Sequence, residues 1–524
     1  MQLTGAQILI ECLKEQGVDV VFGYPGGTIL DVYDVLYQTP EIKHYLVSHE
    51  QGAAHAADGY ARSTGKVGVC LATSGPGCTN LTTGIATAYM DSSPIVAVTC
   101  NVSKKLLGKD SFQEVDSTGI TRPITKWNRI VSDVHELASA VRQAFLIARS
   151  GRPGPVLLDI TKDVTGASCD FASLPVKEHR IFELPNQLSR RLMGSLDVHE
   201  PDAGSMDSFV VLLEKAERPL VICGGGVVRS RATAELNEFA NRADAPVAIT
   251  VMGGGGFRGR DPLTTGMIGM HGSQASNMAV DNCDLLIALG CRFSDRVALQ
   301  PSTFASQATI VQVDIDSTEM GKNVRCDLSV LGDAKRVLEL VNERLPQQSH
   351  LVWKEFVFSF PTETQYEGGG DHLTPKQVNS TIARMCPNDT MVATDVGQHQ
   401  MWAIQHFHYD YPGQLLTSGG FGAMGFGLGA AIGAQVGNPD KRVILVTGDG
   451  SFRMNCNELA TVEHYGLPII TIVYDNTVLG MVHQWQTLIY DQRYSQTTLD
   501  RGPDWVKLAD QIEERRVGKE CRSR

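Results

Sequence analysis

Residues 441–485 contain the side chains whose types and spacing most clearly support chemistry. Two short β-branched runs flank a helix-length segment, which is the pattern of a βαβ unit with strands buried on both faces. The first strand ends in Gly448-Asp449-Gly450 and the second in Asp475-Asn476. Because parallel strands end at the same edge of a sheet, we expect Asp449 and Asn476 to be neighbours.

This pair of side chains suits one metal ion in particular. One carboxylate and one amide oxygen beside a glycine-lined gap fit Mg²⁺, which takes few protein oxygens and keeps positions for phosphate and water. An aspartate at a strand end is also common in βαβ units that bind no metal. On the residues alone, both interpretations stay open.

Length and composition favour a large globular protein. Its 524 residues, 42% of them hydrophobic and 20% charged, are too many for a single hydrophobic core. At roughly 150 residues per domain, three domains are expected. The net charge of −12 argues against nucleic acid as a partner, because phosphate backbones require a basic surface. No run approaches the roughly 18 apolar residues of a membrane span, and no secretory signal pattern is visible.

The twelve cysteines form no CxxC pair and no Cys/His cluster with zinc spacing. Cys70, Cys100, Cys223 and Cys291 lie within or beside apolar strand-like runs, where a thiol behaves as a small core residue. This usage predicts unpaired, buried cysteines and fits a cytoplasmic location.

Three blocks of alternating strands and helices are predicted: residues 1–165, 190–345 and 372–514, with linkers over about 166–205 and 346–372. In the first block, Glu50 follows a strand and precedes a small-residue helix; it is either a first-turn glutamate interacting with the helix dipole or a functional acid. The second block has glycines or acids after its strands, which is typical of a nucleotide-type ligand at a switch point. It lacks the GxGxxG-plus-acid fingerprint, which disfavours an NAD dehydrogenase.

The third block has a strand over 391–394 followed by Gln398 and His399, and a glycine-rich run over 418–427. Residues 515–524 contain five basic side chains and no apolar periodicity. We expect this basic tail to be solvated and the third block to be incomplete.

Together these motifs resemble the catalytic large subunit of the acetolactate synthase (acetohydroxyacid synthase) family, which are thiamine-diphosphate enzymes. The resemblance runs from about residue 1 to 510, and its specificity comes from the order and combination of the motifs. It implies three doubly wound parallel-sheet α/β domains: pyrimidine-binding, central FAD-binding and diphosphate-binding, the last apparently truncated. The motifs are FGYPGG (22–27), SHEQGAAHAADGYAR (48–62), TSGPG (73–77), DSFQEVD (110–116), GRPGPV (151–156), MIGMHG (267–272), RFSDR (292–296), DVGQHQM (395–401), GAMGFG (422–427), GDGSF (448–452) and LGMVHQWQ (479–486).

The resemblance assigns roles to the cofactor residues. Asp449, Asn476 and the backbone carbonyl near Val478 would hold Mg²⁺ against the diphosphate, and Glu50 would activate the aminopyrimidine by proton transfer. Met424 would lie beneath the thiazolium. The residues implied for thiamine diphosphate are Gln398, His399, Gly422, Met424, Gly448, Gly450, Ser451 and Met481, and those implied for FAD are Gly224, Gly225, Gly226, Thr250, His271, Gly290, Arg292, Asp314 and Asp333.

The implied reaction decarboxylates pyruvate and transfers the hydroxyethyl carbanion to a second 2-keto acid. The products are 2-acetolactate from pyruvate or 2-aceto-2-hydroxybutyrate from 2-ketobutyrate, in branched-chain amino-acid biosynthesis. Arg296 would bind the acceptor carboxylate through its planar fork, and Trp485 would favour the larger acceptor. Glu50 and Asp449 would meet across a homodimer interface, or in a dimer of dimers, with a small regulatory subunit as a further partner. The other implied active-site residues are Gly27, Phe112, Gln113 and Lys162.

Some positions depart from the family pattern. Asp475 stands where an asparagine is usual, Gly429 replaces a proline and Asn457 a glutamine. Two alternatives stay open: another thiamine-diphosphate 2-keto-acid decarboxylase or oxidase, and a truncated chain with little activity or only an assembly role.

Overall fold

Three parallel sheets organise the chain in a computed structural model that describes residues 1–174, 200–363 and 373–511. The prediction of three α/β parallel-sheet domains is confirmed. Cys70, Cys100, Cys223 and Cys291 are buried and unpaired, as predicted. Within the described ranges, no helix is long and apolar enough to cross a membrane.

The first domain is built on a six-stranded parallel sheet. Its first helix begins at a capping box, because the Thr4 hydroxyl accepts from the Gln7 backbone N–H while the Gln7 side chain accepts from the Thr4 N–H. The elements are β1 (Gln2–Thr4), α1 (Gly5–Glu15), β2 (Val20–Gly23), α2 (Leu30–Tyr37), β3 (Lys43–Leu46), α3 (Glu50–Thr64), β4 (Gly68–Thr73), α4 (Pro76–Asn80), α5 (Thr82–Met90), β5 (Ile95–Asn101), α6 (Ser117–Thr121), β6 (Trp127–Val131), α7 (Val134–Arg149), β7 (Val156–Thr161), α8 (Lys162–Gly166) and β8 (Ser168–Asp170).

The order of this sheet is β3-β2-β4-β5-β7-β6, and β1 pairs with β8 in a separate antiparallel ribbon. The ribbon corrects the prediction that residues from 166 onward form a linker, since residues 168–170 pair with residues 2–4. Strand β6 was also not predicted, because only one of its five residues is fully buried and its sequence lacks an apolar run. The rest of the first predicted linker, residues 175–199, lies outside the described residues.

The middle domain holds a second six-stranded parallel sheet, ordered β11-β10-β9-β12-β13-β14. The strand order reverses between β9 and β12, which makes that point the switch point of the sheet. A helix over Leu351–Phe358 corrects the prediction of a second linker over about 346–372, of which residues 364–372 lie outside the described residues. The elements are α9 (Ala203–Lys215), β9 (Pro219–Cys223), α10 (Gly225–Arg229), α11 (Thr233–Arg242), β10 (Val247–Ile249), β11 (Thr264–Met267), α12 (Gln274–Asn282), β12 (Leu285–Leu289), β13 (Thr309–Asp314), β14 (Leu328–Leu331), α13 (Ala334–Asn342) and α14 (Leu351–Phe358).

The third domain has a four-stranded parallel sheet ordered β16-β15-β17-β18. Strands β17 and β18 are adjacent with Gly448 opposite Tyr474, so the predicted βαβ unit is confirmed. The elements are α15 (Pro375–Met385), β15 (Met391–Thr394), α16 (Gln398–His406), β16 (Leu415–Leu416), α17 (Phe426–Gly437), β17 (Val443–Gly448), α18 (Asp449–Asn455), α19 (Leu459–His464), β18 (Ile470–Tyr474), α20 (Gly480–Ile489) and α21 (Trp505–Gln511).

Helix α3 of the first domain packs closely on helix α17 of the third. Both helices are rich in glycine and alanine and almost fully buried. A Cβ at Gly433 would overlap the carbonyl oxygen of Ala56, and one at Gly59 would overlap that of Ala430. The two backbones therefore approach to a distance that only glycine permits at these positions.

We expect Gly433→Ala to weaken this contact. The added methyl must displace backbone, which costs about 1–3 kcal/mol, so the thermal unfolding midpoint should fall. Gly166→Ala is the matched control, because a Cβ there meets nothing within 4 Å. Equal midpoints for the two variants, measured by circular dichroism, would contradict this account of the packing.

Candidate active site

Glu50 lies at the carboxyl edge of the first-domain sheet, as the first residue of α3. Its side chain is 8% exposed, and Asn80 Nδ2 donates a 2.9 Å hydrogen bond to its Oε2. Its Oε1 faces Gly77, where an added Cβ would lie 3.3 Å away. A buried carboxylate with one donor and a glycine-lined side is more than a solvated first-turn glutamate.

Gln113 and Phe112 reach the same edge from a loop. Gln113 has φ +60, and its Cα would lie 2.9 Å from a Cβ at Gly75, so this loop packs on the turn that precedes α4. The Phe112 side chain is 88% exposed. The structure therefore brings Gln113 into the neighbourhood of Glu50 and leaves Phe112 projecting from the surface.

Gly27 and Lys162 also lie at this edge. A Cβ at Gly27 would meet nothing within 4 Å, while the next residue, Thr28, hydrogen-bonds to Thr73 at the end of β4. Lys162 begins α8 after β7, and its Nζ lies 2.7 Å from Asp31 Oδ1. Lys162 is thus paired within the first domain.

Asp449 and Asp475 lie side by side at the ends of β17 and β18. Burial raises the pKa of Asp449, and the negative charge of Asp475 raises it further. Asn476 Oδ1 accepts the backbone N–H of Val478 at 3.2 Å. The loop around Val478 is fixed, because Leu499 N donates to Thr477 O at 2.7 Å. The strand register and the charge interaction between the two carboxylates place Asp475, the residue before Asn476, beside Asp449.

Gln398 and His399 approach the same point from the start of α16. The His399 ring is so close to Gly448 that a Cβ there would lie 2.8 Å from Nδ1. Burial lowers the pKa of His399 to about 4, and its Nε2 has no hydrogen-bond partner among the described residues. A Cβ at Gly480 would overlap Gln398 Oε1 and lie 3.4 Å from Asn476 Nδ2.

The glycine loop, residues 417–425, carries Gly422 and Met424. Gly422 has φ +71 and open space around it, whereas Gly425 N donates to Ser451 Oγ at 3.2 Å. Met424 is half-buried. The loop therefore borders the edge that carries Asp449, with its middle exposed.

Helix α20 completes this half of the site with Met481 and Trp485. None of its ten residues is fully buried, and Trp485 is 38% exposed. Val482, Leu488 and Ile489 are more exposed still. Helix α20 therefore leaves apolar side chains exposed in the described residues.

The donor set at Asp449 fits Mg²⁺ bound to a diphosphate. Two neighbouring carboxylates and an amide oxygen call for a cation, and the orphaned His399 Nε2 and the open Gly422 leave room and a polar group for a ligand. In the described ranges, no three His, Cys, Asp or Glu residues cluster as a metal site. The residues around Asp449 fit the implied group without demonstrating it.

The middle-domain residues predicted for FAD follow the strand ends on both sides of the switch point. Gly224 N donates to Leu289 O at 2.9 Å and Gly226 N to Gly290 O at 3.1 Å. Burial raises the pKa of Asp314 to about 6. Thr250, after β10, also lies at this edge, with Gly225 near Met252.

Some of the residues predicted for FAD have contacts within the protein that explain their positions without a bound ligand. Gly226 and Gly290 pack backbone to backbone, and Asp333 Oδ1 caps α13 by accepting from Lys335 N at 3.0 Å. His271 is held by Gln405, which donates to its carbonyl, and Arg292 lies beside Gly420. The edge suits a dinucleotide, and FAD itself stays a prediction.

Arg296 lies at the surface of the middle domain. Its side chain is 61% exposed, with Nη1 3.7 Å from Asp295 Oδ2, and its carbonyl accepts from Met270 N. These contacts do not bring Arg296 to Glu50 or Asp449. Its predicted role of binding the acceptor carboxylate therefore requires that another protein surface approach Arg296.

Sequence reasoning missed two residues that position Glu50. Asn80 hydrogen-bonds to it directly, and Glu458 of the third domain accepts from the backbone N–H of Ser48 at 3.1 Å and of His49 at 3.0 Å. Asn80 follows the Gly-Pro-Gly turn after β4, so its place at the strand edge was a usable signal. Glu458 gave none, because its partners are backbone groups some 410 residues away.

Comparisons with known proteins agree with this geometry. Three family models match: Thiamine pyrophosphate enzyme, N-terminal TPP binding domain, over residues 3–120; Thiamine pyrophosphate enzyme, central domain, over 206–341; and Thiamine pyrophosphate enzyme, C-terminal TPP binding domain, over 395–521. The three matched domains make the chain a thiamine pyrophosphate enzyme.

Full-length relatives define the family more narrowly. The chain is 43% identical to the probable acetolactate synthase large subunit of Methanocaldococcus jannaschii, over 97% of this chain and 86% of the relative. It is also 43% identical to the acetolactate synthase isozyme 2 large subunit of Escherichia coli K12, over 97% and 89%, and 43% to the acetolactate synthase of Mycobacterium bovis, over 98% and 83%. The chain belongs to the acetolactate synthase large-subunit family.

The expected truncation of the third domain finds no support. The C-terminal family model matches as far as residue 521, which includes most of the segment predicted to depart from the family. Residues 512–524 lie outside the described residues. The expectation rested on the basic composition and missing apolar periodicity of residues 515–524 and on a resemblance that was followed only to about residue 510, and the family-model match extends beyond that point.

We expect Glu458→Gln to loosen the turn that carries Glu50. Glu458 is fully buried, and an amide in its place turns an NH₂ toward backbone donors, a loss of about 1–3 kcal/mol. The thermal midpoint should fall, while Glu463→Gln, an exposed position on α19, should leave it unchanged. A Glu458→Gln midpoint equal to that of the control would rule out this anchoring role.

Proposed function

We propose that this chain joins two 2-keto acids, forming 2-acetolactate from two pyruvate molecules and 2-aceto-2-hydroxybutyrate from pyruvate and 2-ketobutyrate. The proposal is carried by one observation: Asp449 and Asn476 follow adjacent parallel strands in a chain that belongs to the acetolactate synthase family. Bound thiamine diphosphate would supply an acidic carbon that, once deprotonated, adds to a keto group, and a ring that stores the electron pair left behind when CO₂ departs.

Glu50 is the residue proposed to move a proton. Its carboxyl is buried and held by Asn80, so it can exchange a proton with the aminopyrimidine ring nitrogen in a site with little water. Gln113 and Gly27 lie at the same edge and would contact substrate or cofactor, with Phe112 and Lys162 bordering them.

Asp449, Asn476 and the Val478 carbonyl are proposed to hold Mg²⁺. Gln398, His399, Gly448, Gly450, Ser451 and Met481 surround that point and would contact the diphosphate side. His399 is kept neutral by burial, so it would offer a hydrogen bond without placing a second cation beside the metal. Met424, at the end of the glycine loop, would support the cofactor from below.

To join two 2-keto acids, the site must hold the second keto acid beside the two-carbon unit and exclude water, which would otherwise protonate that unit. Arg296 would bind the acceptor carboxylate in a bidentate manner, and Trp485 would contact its alkyl group. Both side chains are exposed in the single chain, so we propose that a second copy covers them in a homodimer or dimer of dimers. FAD at the middle-domain edge, a regulatory small subunit and a cytoplasmic location complete the proposal.

Other thiamine-diphosphate enzymes remain the alternative in chemical terms, since a decarboxylase would protonate the same two-carbon unit. Relatives that are named acetolactate synthases, and that are 40–44% identical over nearly the whole chain, favour acetolactate formation over this alternative. Purified chain with pyruvate, Mg²⁺, thiamine diphosphate and FAD should yield acetolactate, whereas acetaldehyde or acetyl phosphate as the main product would overturn the proposal.

Two substitutions should separate proton transfer from cofactor binding. Glu50→Gln keeps the size of the side chain but removes the acid, so acetolactate formation should fall by about 10²-fold or more while thiamine diphosphate still binds. Asp449→Asn removes the metal carboxylate and should abolish Mg²⁺-dependent binding, measured by tryptophan fluorescence. Binding losses of the same size in both variants would contradict the assigned roles.

Co-expression of these two variants tests the shared site. If Glu50 of one chain serves Asp449 of its partner, a mixed dimer keeps one intact site of two, and random pairing should restore about a quarter of wild-type activity. Each variant alone is the control. No recovery in isolated mixed dimers would place both residues in one chain's own site.

A further inference from the structure

A buried ion network joins the three domains beside the glycine loop. Arg62 Nε and Nη2 donate to the two carboxylate oxygens of Asp58 at 2.6 and 2.7 Å, and Nη2 also donates to Asp91 Oδ2 at 3.0 Å. Arg229 of the middle domain donates to Asp91 O at 2.9 Å. The side chains of Arg62, Asp58 and Asp91 are almost fully buried.

The charges of this network balance, with two arginines against two aspartates. Burial and repulsion by Arg62 lower the pKa of Arg229 to about 10, so it stays protonated at neutral pH. Buried ion pairs add little net stability, but removal of one partner is costly because the other is left uncompensated. The network therefore specifies one arrangement of the surrounding groups.

The glycine loop is the third-domain element held by this network. Arg62 Nη1 donates to Thr417 O at 2.7 Å, and Gly420 N donates to Asp91 Oδ1 at 2.7 Å. A Cβ at Gly420 would lie 2.6 Å from Asp91 Oδ1 and 2.7 Å from Arg292 Nη2. At the far end of the loop, Asn455 Nδ2 donates to Gly425 O at 2.6 Å.

We propose that Asp91 and Arg62 are positioning residues that fix the glycine loop between the first and middle domains, and so set the height of Met424 against the cofactor. The inference rests on the proposed function. Both ends of the loop are anchored while Phe421 and Gly422 are exposed, so a shift at Gly420 is passed to Met424 four residues later. Arg292 beside Gly420 extends the same link to the middle-domain edge.

Asp91→Asn, compared with Asp58→Asn, tests this role. Both aspartates pair with Arg62 and are equally buried, but only Asp91 accepts from Gly420. We expect Asp91→Asn to weaken binding of thiamine diphosphate with Mg²⁺ about tenfold and to lower kcat with little change in KM for pyruvate. Asp58→Asn should change cofactor affinity less than about threefold, with a similar loss in thermal midpoint.

A second variant keeps every charged side chain of the network. Gly420→Ala inserts a methyl against Asp91 and Arg292 and should reproduce the cofactor defect, including an altered near-ultraviolet circular dichroism signal of the bound cofactor. This variant decides the matter if Asp91→Asn does not fold. Arg62→Lys, which keeps the charge but loses the planar fork, should give an intermediate defect.

The outcomes distinguish failure of the proposed function from failure of the positioning role of Asp91 and Arg62. If the wild-type chain neither binds thiamine diphosphate nor forms acetolactate, the proposed function fails and the positioning role fails with it. If the wild type does both, and Asp91→Asn matches Asp58→Asn in cofactor affinity and kcat, only the positioning role is overturned. Wild-type affinity in Gly420→Ala would overturn it as well.

Discussion

The close packing of α3 on α17 is the contact on which the other features depend. It places two glycine-rich helices from different domains in backbone contact, and each helix begins at a piece of the site. Glu50 is the first residue of α3, and the glycine loop leads into α17 at Phe426. Since close-packed interiors transmit small displacements, Glu50 and Met424 share one rigid support.

This support explains why so much polar structure is buried between the domains. Glu458 reaches from the third domain to the turn before Glu50, and the Arg62 network reaches from α3 to the loop before α17. Each contact joins residues hundreds of positions apart, and each is directed at a segment that carries a proposed active-site residue. Buried polar groups of this kind contribute more to the uniqueness of an arrangement than to its stability.

The sequence predicted the sheet domains and the paired strand ends well, because buried parallel strands give apolar runs and their glycine- or acid-rich ends are local signals. It failed where the signal was weak or distant. Strand β6 has a half-polar sequence, β8 pairs with residues at the other end of the domain, and α14 lies in a stretch whose periodicity is short. Asn80 was within reach of local reasoning, but Glu458 and Asp91 act on backbone groups that no sequence pattern identifies.

The exposed face of α20 has a consequence for how this protein exists at low concentration. A ten-residue helix is marginal in water on its own, and none of the side chains of this one is fully buried within the described chain. The order of the segment that carries Trp485 is therefore tied to whatever covers it. If the proposed second copy covers it, dilution would act on that association, and the fraction of chains with an ordered Trp485 segment would become a property of the population rather than of the single molecule.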